Sequence, residues 1–431
     1  MQRSVFKGAI IKLKEEVPTV EFLKVLSVKE VIELIKGFHP LGTEIVTLDM
    51  ACGRILAETV RAQEPVPHFR RATMDGYAVR AKDTFGASES LPAILEVVGS
   101  VEMGKIPSFT VGPNQAGAIP TGGALPEGSD AVVMVEHTER IDESTIEVYR
   151  PVAPGEHVLS VGEDIPEGAE IFKAGRLLKP QDIGVLAALG IYELKVYRKP
   201  KVAVISTGDE IVPYTTKGPL PVGLIRDTNS LFIAGLCEEV GAEVGAKILV
   251  GDDKKRLRDA CHELAENHDV VLLSGGSSVG IRDFTLEVLK ELPQSRILFH
   301  GVAIKPGKPT ILATSGNTYF WGLPGQPASA LTVMFALVCP FLQVMQGTSP
   351  NFPYSKKTAE AVLSVRVPSV HGREDYVPVQ LINSENGWMA HPVFGKSGMV
   401  SLITKADGFI IIGEHDEGLD EGSPVTVYLV R

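Results

Sequence analysis

The sequence predicts a multidomain chain of α/β and β class: a central layered α/β domain with a mostly parallel sheet, a small β-rich domain ahead of it, and a small β-barrel or sandwich behind it. Its 431 residues exceed one ordinary core, which stops growing at roughly 100–200 residues, so three or four domains are expected. From Lys201 onward strand-like and helix-like segments alternate, the pattern of a parallel sheet with helical crossovers. On either side, short alternating stretches are punctuated by Gly and Pro, the pattern of small β domains.

Taken in order, residues 28–38 place Val28, Val31, Ile32 and Ile35 on one helical face, with Gly37 as the stop, which predicts a short helix. Residues 45–48 and 65–69 read as extended, and the prolines around Pro67 mark a domain boundary. Between Met74 and Arg150, runs such as 94–98 and 131–135 predict strands. Residues 151–199 carry Gly155, Gly162, Gly168 and Gly175 before an apolar helix-like run at 183–189, and this segment is expected to rejoin the first domain. In the α/β region the expected order is strand 202–206, helix 230–240, strand 246–250, helix 256–265, strand 270–274 and helix 284–292. Ligands of such a sheet sit at the carboxyl ends of its strands. The apolar run 330–345 is 16 residues long and holds Thr332, Pro340 and Gln343, so it reads as a buried helix rather than a membrane span. The runs 409–412 and 425–430 belong to the terminal β domain.

A net charge of −11 opposes non-specific binding to nucleic acid or anionic lipid, so neither is expected as a partner and any anionic ligand must be held by local features. Cys52, Cys237, Cys261 and Cys339 form no CxxC pair, which indicates neither a zinc site nor a disulfide framework. Lys7, Lys12 and Lys14 interrupt the apolar residues of the N-terminus, so no signal core is read there. A cytoplasmic, reducing location is expected.

The chemistry-bearing residues cluster at predicted strand ends. The first α/β strand runs into Ser206-Thr207-Gly208-Asp209-Glu210, where a glycine admits a ligand to the backbone and two carboxylates follow. A later strand ends in Ser274-Gly275-Gly276-Ser277-Ser278-Val279-Gly280 and reaches Asp283, a loop rich in N–H and hydroxyl donors for an oxyanion. Either loop taken alone is also compatible with mere strand-to-helix geometry. Lys305-Pro306-Gly307-Lys308-Pro309 sets two ammonium groups on a stiffened turn, suited to a phosphate or tetrahedral oxyanion or else simply solvated. Gly322-Leu323-Pro324-Gly325-Gln326-Pro327 precedes a helix start, whose free N–H groups favour an anion, although a structural loop explains the prolines equally well. In the β-rich region, Asp75 within 72–79 and Pro120-Thr121-Gly122-Gly123, with Asp130 and Glu136 beyond, place carboxylates near glycine turns. They suit Mg²⁺ or, for Asp75, a capped turn. These patterns support an enzyme of phosphorylated or nucleotide substrates and do not name its reaction.

Taken together, the strings resemble the MoeA family, which includes the C-terminal domain of gephyrin, over nearly the whole chain from about Leu26. Arg71-Ala72-Thr73-Met74-Asp75-Gly76-Tyr77-Ala78-Val79-Arg80 is similar to the family's R-S-A-M-D-G-Y-A-V-R. Matching in order are 120–122 with 130–136, Gly162-Glu163-Asp164-Ile165, 207–210, 225–229, 274–283 and 304–309. The resemblance implies four parts: an elongated helical and extended linker domain (1–66 with 152–198), a β-rich domain (67–151), a three-layer α/β molybdopterin-binding domain (199–346) and a C-terminal β-barrel (347–431). It implies a homodimer whose cleft joins the α/β domain of one subunit to the β-rich domain of the other, with molybdopterin adenylyltransferase and molybdoenzyme maturation factors as further partners.

The activity implied is that of a molybdopterin molybdenumtransferase, which loads molybdate onto adenylylated molybdopterin with release of AMP and uses Mg²⁺. Carried over residue by residue, Asp75, Thr121, Asp164, Glu210, Asp252, Asp283, Lys305 and Lys308 are the catalytic candidates. Glu210 and Asp283 are the metal candidates. Thr207, Gly208, Asp209, Asp227, Asn229, Ser274, Gly275, Gly276, Ser278, Gly280, Pro324, Gly325, Pro327 and Ser397 shape the pterin-phosphate and nucleotide pocket. Mg²⁺ and lysine suit a breaking phosphoanhydride, no nucleophilic side chain is needed, and an oxygen of molybdate is a reasonable attacker on the AMP phosphorus. Gln326 replaces the family's Asn, Ser277 a Val, and Gly123-Ala124 the common Ala-Pro, while Gly301 stands where some members carry lysine. These departures bear on molybdate against tungstate, so a tungstate-preferring paralogue is one alternative. A non-catalytic gephyrin-like scaffold is another, and the absence of a long linker or fused domain argues against it.

Overall fold

The computed structural model describes residues 25–275, 284–385 and 387–430. By contacts the chain divides into two compact units, one comprising 1–44, 53–57 and 196–431 and the other 45–52 and 58–195.

The larger unit is built on the alternating region. Its elements are β1 (Lys201–Thr207), α1 (Asn229–Val240), β2 (Glu243–Val250), α2 (Lys254–Ala265), β3 (Val270–Ser274), α3 (Phe284–Glu291), β4 (Ser295–His300), β5 (Ile311–Ser315) and β6 (Thr318–Leu323). They form one sheet in the order β2-β1-β3-β6-β5-β4. The first four strands are mutually parallel, and β5 runs antiparallel to both its neighbours. Strands β1 and β3 read as unbroken apolar runs because both faces are covered. Val202, Val204, Val270, Leu272 and Trp321 face one core, with α1 and the helix Val28–Lys36 packed on it. Ala203, Ile205, Val271, Leu273 and Phe320 face the other, under α2 and α3. Three layers result. Fully burying one such aliphatic side chain contributes roughly 1.5–3 kcal/mol, so two cores rather than strand propensity hold this sheet.

Local signals fix the helix ends. Ser27 and Glu30 form a reciprocal capping box at the start of Val28–Lys36, and Gly37 closes it. Asp253 caps α2 through the N–H of Arg256. The expected buried helix begins at Pro327 and runs to Met345, 78% buried. It is long and apolar enough to cross a membrane by composition, yet its side chains are spent on the α/β core. Its turn Met334–Val338 widens to π geometry just before Pro340, whose ring would clash with a carbonyl four residues back in a regular turn.

The C-terminal part of this unit is a barrel, one of the two forms its strand pattern allowed. Strands β7 (Thr358–Leu363), β8 (Glu374–Ser384), β9 (Gly387–Pro392), β10 (Gly408–Ile412) and β11 (Pro424–Leu429) pair in the order β8-β9-β7-β11-β10, and β10 closes back onto β8. Leu363, Val379, Ala390, Ile410, Ile412 and Val427 fill it. The two-residue strand Ile304–Lys305 adds to the edge of β8 in parallel, so the expected lysine loop is tied to the barrel.

The smaller unit carries a six-stranded mixed sheet containing Gly76–Val79, Ala93–Ser100, Gln115–Ile119 and Ala131–Met134, with Val79, Leu95, Ala116, Val133 and Ile146 in its core. Within the segment 151–199, Glu170–Phe172 pairs antiparallel with Val60–Arg61, and Val158–Leu159 with Arg71–Ala72. The helix there spans Pro180–Ala188.

Candidate functional site

The crossover after β1 returns to β2 on one side, while the chain leaving β3 turns toward β4 on the other. The carboxyl ends of β1 and β3 therefore lie at the topological switch point, where loops diverge and leave a crevice. A cleft of about 610 Å³ opens there, and its walls include Thr207, Gly208, Glu210, Asp227, Asn229, Asp252, Gly275, Gly325 and Pro327.

Glycine lets these loops meet. Gly275 has φ +120°, and a Cβ on it would lie 2.3 Å from the Thr207 carbonyl oxygen. A Cβ on Gly325 would stand 3.3 Å from the Gly275 Cα, and one on Gly208 2.6 Å from the Glu210 carboxylate. Substitution at Gly275 would force backbone to move, whereas at Gly208 the flexible Glu210 side chain can yield.

Polar side chains then lock the loops. The Asn229 amide donates from Nδ2 to Ser274 Oγ at 2.7 Å and to the Gly325 carbonyl at 2.8 Å, joining the start of α1, the end of β3 and the loop after β6. Asp227 accepts from Ser206 Oγ at 2.9 Å and from the Ser230 N–H at 3.1 Å, so this buried carboxylate holds the entry to α1 although it also borders the cleft. Asp209 accepts from the Asp252 N–H at 2.9 Å and sets the next loop. Ser397 donates to the Gln326 side-chain carbonyl, and its own carbonyl accepts from Ala328 N–H at 3.1 Å, so the residue that departs from the family's Asn anchors a barrel segment to the helix start. Thr207 Oγ1 is buried without a hydrogen-bond partner among the described residues.

Glu210 and Asp252 are exposed carboxylates in this lining. Among the described residues no group of three or more His, Cys, Asp or Glu side chains is placed to enclose a metal. Two carboxylates are nevertheless the usual protein share for Mg²⁺, which keeps waters and substrate phosphate as its other ligands, so the donor set fits that ion. The expected residues Gly276, Ser278, Gly280 and Asp283 lie outside the described residues, as does Ser277. Pro324 is buried and is not among the residues that line the cleft.

Lys305 and Lys308 are not among the residues that line the cleft. Lys305 Nζ instead lies 3.1 Å from Asp375 Oδ2, and Lys308 is exposed three residues on. Sequence reading missed Asp375, because nothing local links it to a lysine 70 positions earlier. It also missed Arg226, Gly398 and Val400 in the cleft wall. Arg226 falls within the matched string 225–229, which was the available signal. Its Nε donates to the Thr216 carbonyl at 2.9 Å, bracing the loop outside β1.

In the smaller unit Asp75 Oδ1 accepts from the Thr121 N–H at 2.6 Å and from its hydroxyl at 2.8 Å. The backbone hydrogen bond from Thr121 above all, and then the hydroxyl, hold the Asp75 carboxyl below its ordinary value, so this exposed group is an anion at neutral pH. The pairing is real, and it matches the turn-capping alternative as well as a ligand-facing role. Asp164 is exposed, with its N–H bonded to the Val66 carbonyl at 3.2 Å.

A layered α/β domain with a glycine-built polar cleft at its switch point, followed by a closed barrel, defines a multidomain ligand-binding protein of the doubly wound class. Residues 26–190 match the MoeA N-terminal region (domain I and II), 203–344 a probable molybdopterin binding domain, and 360–430 the MoeA C-terminal region (domain IV). The molybdopterin molybdenumtransferase of Haemophilus influenzae is 34% identical over 396 residues, 90% of this chain and 94% of that protein. That of Staphylococcus aureus is 31% identical over 408 residues, covering 94% and 96%. A solved molybdopterin biosynthesis MoeA protein from Pyrococcus horikoshii superposes with TM-score 0.80 at 39% identity, covering 95% of this chain and 100% of that one. The chain belongs to the MoeA family of molybdopterin-biosynthesis proteins.

Proposed function

We propose that this chain is a molybdopterin molybdenumtransferase that releases AMP from adenylylated molybdopterin as molybdate is loaded. The observation that carries the reading is the convergence, at one switch-point cleft, of three glycine-built loops with Glu210 and Asp252. A volume of about 610 Å³ lies in the range of small-molecule sites.

The chain's own groups account for binding and positioning. Gly208, Gly275 and Gly325 allow a ligand to approach backbone, Thr207 Oγ1 offers a hydroxyl with no partner among the described residues, and the helix beginning at Pro327 sets the positive end of its dipole at the cleft wall. Glu210 and Asp252, with Asp283 as the expected further ligand, would hold Mg²⁺, which supplies charge neutralisation on a phosphoanhydride when bound. Lys305 and Lys308 would add cationic charge toward the oxyanion. No side chain need act as a nucleophile. The reading carries with it the four-part division given above, a cytoplasmic location, and a homodimer in which Asp75 and Thr121 close the cleft of the other subunit.

The test is direct. Purified full-length protein is mixed with adenylylated molybdopterin, Mg²⁺ and either molybdate or tungstate, and AMP is measured by chromatography with metal content read on the product. AMP release that depends on the oxyanion and stops on chelation of Mg²⁺ is expected. No AMP with either oxyanion overturns the reading.

A further inference from the structure

We propose that Asp375, a barrel residue to which nothing in the sequence motifs assigns a role, is a positioning residue that aims the Lys305 ammonium. This deepens, and rests on, the transferase reading given above.

The geometry is specific. The strand Ile304–Lys305 lies parallel on the barrel edge with Lys305 in register with Asp375, and the Glu374 N–H donates to the Ala303 carbonyl at 2.9 Å. Asp375 is 2% exposed. Its Oδ2 lies 3.1 Å from Lys305 Nζ, and its Oδ1 accepts from Arg373 Nε at 2.8 Å. A single buried carboxylate thus sits between two cations from two domains of the fold. Packing alone does not call for this, because a hydrophobic residue at a buried ion-pair position is often as stable or more so. What the carboxylate does supply is direction.

An ammonium has three N–H donors on a flexible four-carbon stem, and alone it points anywhere. With one donor fixed on Asp375, the remaining two are turned outward on a side chain that is still 53% exposed. The turn carrying it is itself rigid. Thr310 Oγ1 donates to the Gly307 carbonyl at 2.7 Å, and the Lys308 carbonyl accepts N–H bonds from Val302 and Thr310 at 2.9 Å each. Gly307 lies so close to the helix from Pro327 that a Cβ on it would stand 2.6 Å from Val333 Cγ2. That helix begins at the wall of the cleft. Lys308, by contrast, has no ion-pair partner among the described residues. The two lysines divide the work: Lys305 is fixed by the barrel, and Lys308 is left to follow an incoming anion. The barrel's contribution to the site is then to hold one cation in place.

The test uses full-length protein as wild type, Asp375→Asn, Lys305→Met and the double variant. Two independent readouts are taken: the rate at which Lys305 is acylated by a small amine-reactive active ester, located by peptide mass, and AMP release as kcat and KM for molybdate. In Asp375→Asn, Lys305 acylation is expected to rise about threefold or more as its hydrogen bond to a charged carboxylate gives way to a weaker one to a neutral amide oxygen. KM for molybdate falls about threefold, because the cluster gains a positive unit toward a dianion, while kcat falls about tenfold, because the donor is no longer aimed. A merely structural loss would lower kcat and leave KM and the Lys305 reactivity alone. In the Lys305→Met background, Asp375→Asn should change kcat by less than about twofold. An unchanged acylation rate, or fully additive kinetic effects, overturns the inference. Should Asp375→Asn not fold, Asp375→Glu keeps the charge and shifts the carboxylate by one methylene: kcat falls at constant KM if aim matters, and an unchanged kcat overturns it. If wild type releases no AMP, the transferase reading fails, while the acylation comparison still decides whether Asp375 holds Lys305.

Discussion

Replacing Asn229 by alanine removes the one amide that ties three loops of the cleft together. Its Nδ2 bonds to Ser274 Oγ and to the Gly325 carbonyl, at 2.7 and 2.8 Å. Each neutral hydrogen bond contributes about 0.5–1.5 kcal/mol, and the buried Ser274 hydroxyl left without its donor costs about 1–3 kcal/mol, so the α/β region should lose about 2–4 kcal/mol. Trp321 is fully buried in the same core, so its fluorescence in a Trp388→Phe background reports unfolding there in urea. With a slope of about 2–3 kcal/mol per molar, the midpoint should fall by about 1 M. Freed from this tie, the loop of Gly325 drifts from Gly275, and a displacement of order 1 Å should lower AMP release about 10- to 100-fold. Asn229→Asp keeps the size but sets an oxygen against the Gly325 carbonyl oxygen, and should do no better. A urea midpoint within about 0.2 M of the parent, or AMP release within about twofold, refutes the claim that this amide organises the cleft.

Other consequences are equally open to measurement. Glu210→Gln, at an exposed carboxylate in the cleft wall, should cut AMP release about 100-fold with a melting shift of only a few degrees, and a large melting shift at preserved turnover would make the residue structural. Asp75→Asn keeps an acceptor for Thr121 but removes the charge; turnover should fall while sedimentation stays that of the parent, and full activity would leave Asp75 a turn cap. Asp182 is buried against Arg176, whose hydrogen bonds at 2.8 and 3.0 Å are the largest influence holding its carboxyl below the ordinary value. A depressed folded pKa stabilises above the unfolded pKa of about 3.9 and loses that contribution as pH falls through the folded one. Acid unfolding of the smaller unit, followed by proteolysis between about pH 5 and pH 2, should therefore be shallower in Asp182→Asn, and identical profiles would refute the linkage.

The strands Lys201–Thr207 and Val270–Ser274 were legible because helices cover both faces of that sheet, so burial leaves an unbroken apolar run in the chain itself. The helix Val28–Lys36 was legible from its apolar spacing and Gly37. The glycine-rich strand ends were legible for a similar reason: Gly275 stands where a side chain would strike the Thr207 carbonyl, a constraint that selects the residue type. Whether the terminal strands close was not legible, since barrel and sandwich share one alternation, and only the pairing of Gly408–Ile412 with Glu374–Ser384 decides it.

The sequence by itself thus determined the layered class of the central domain and the family, and it nominated Thr207, Gly208, Glu210, Asp227, Asn229, Asp252, Gly275 and Gly325, which the structure sets along one cleft wall. Tertiary structure alone brought Gly398 and Val400 into that wall and took Lys305 into a pair with Asp375. The physical reason is range. Periodicity, capping and glycine requirements act within a few residues and leave their mark locally, whereas a hydrogen bond across 70 residues exists only once two separate cores have set the distance between its partners.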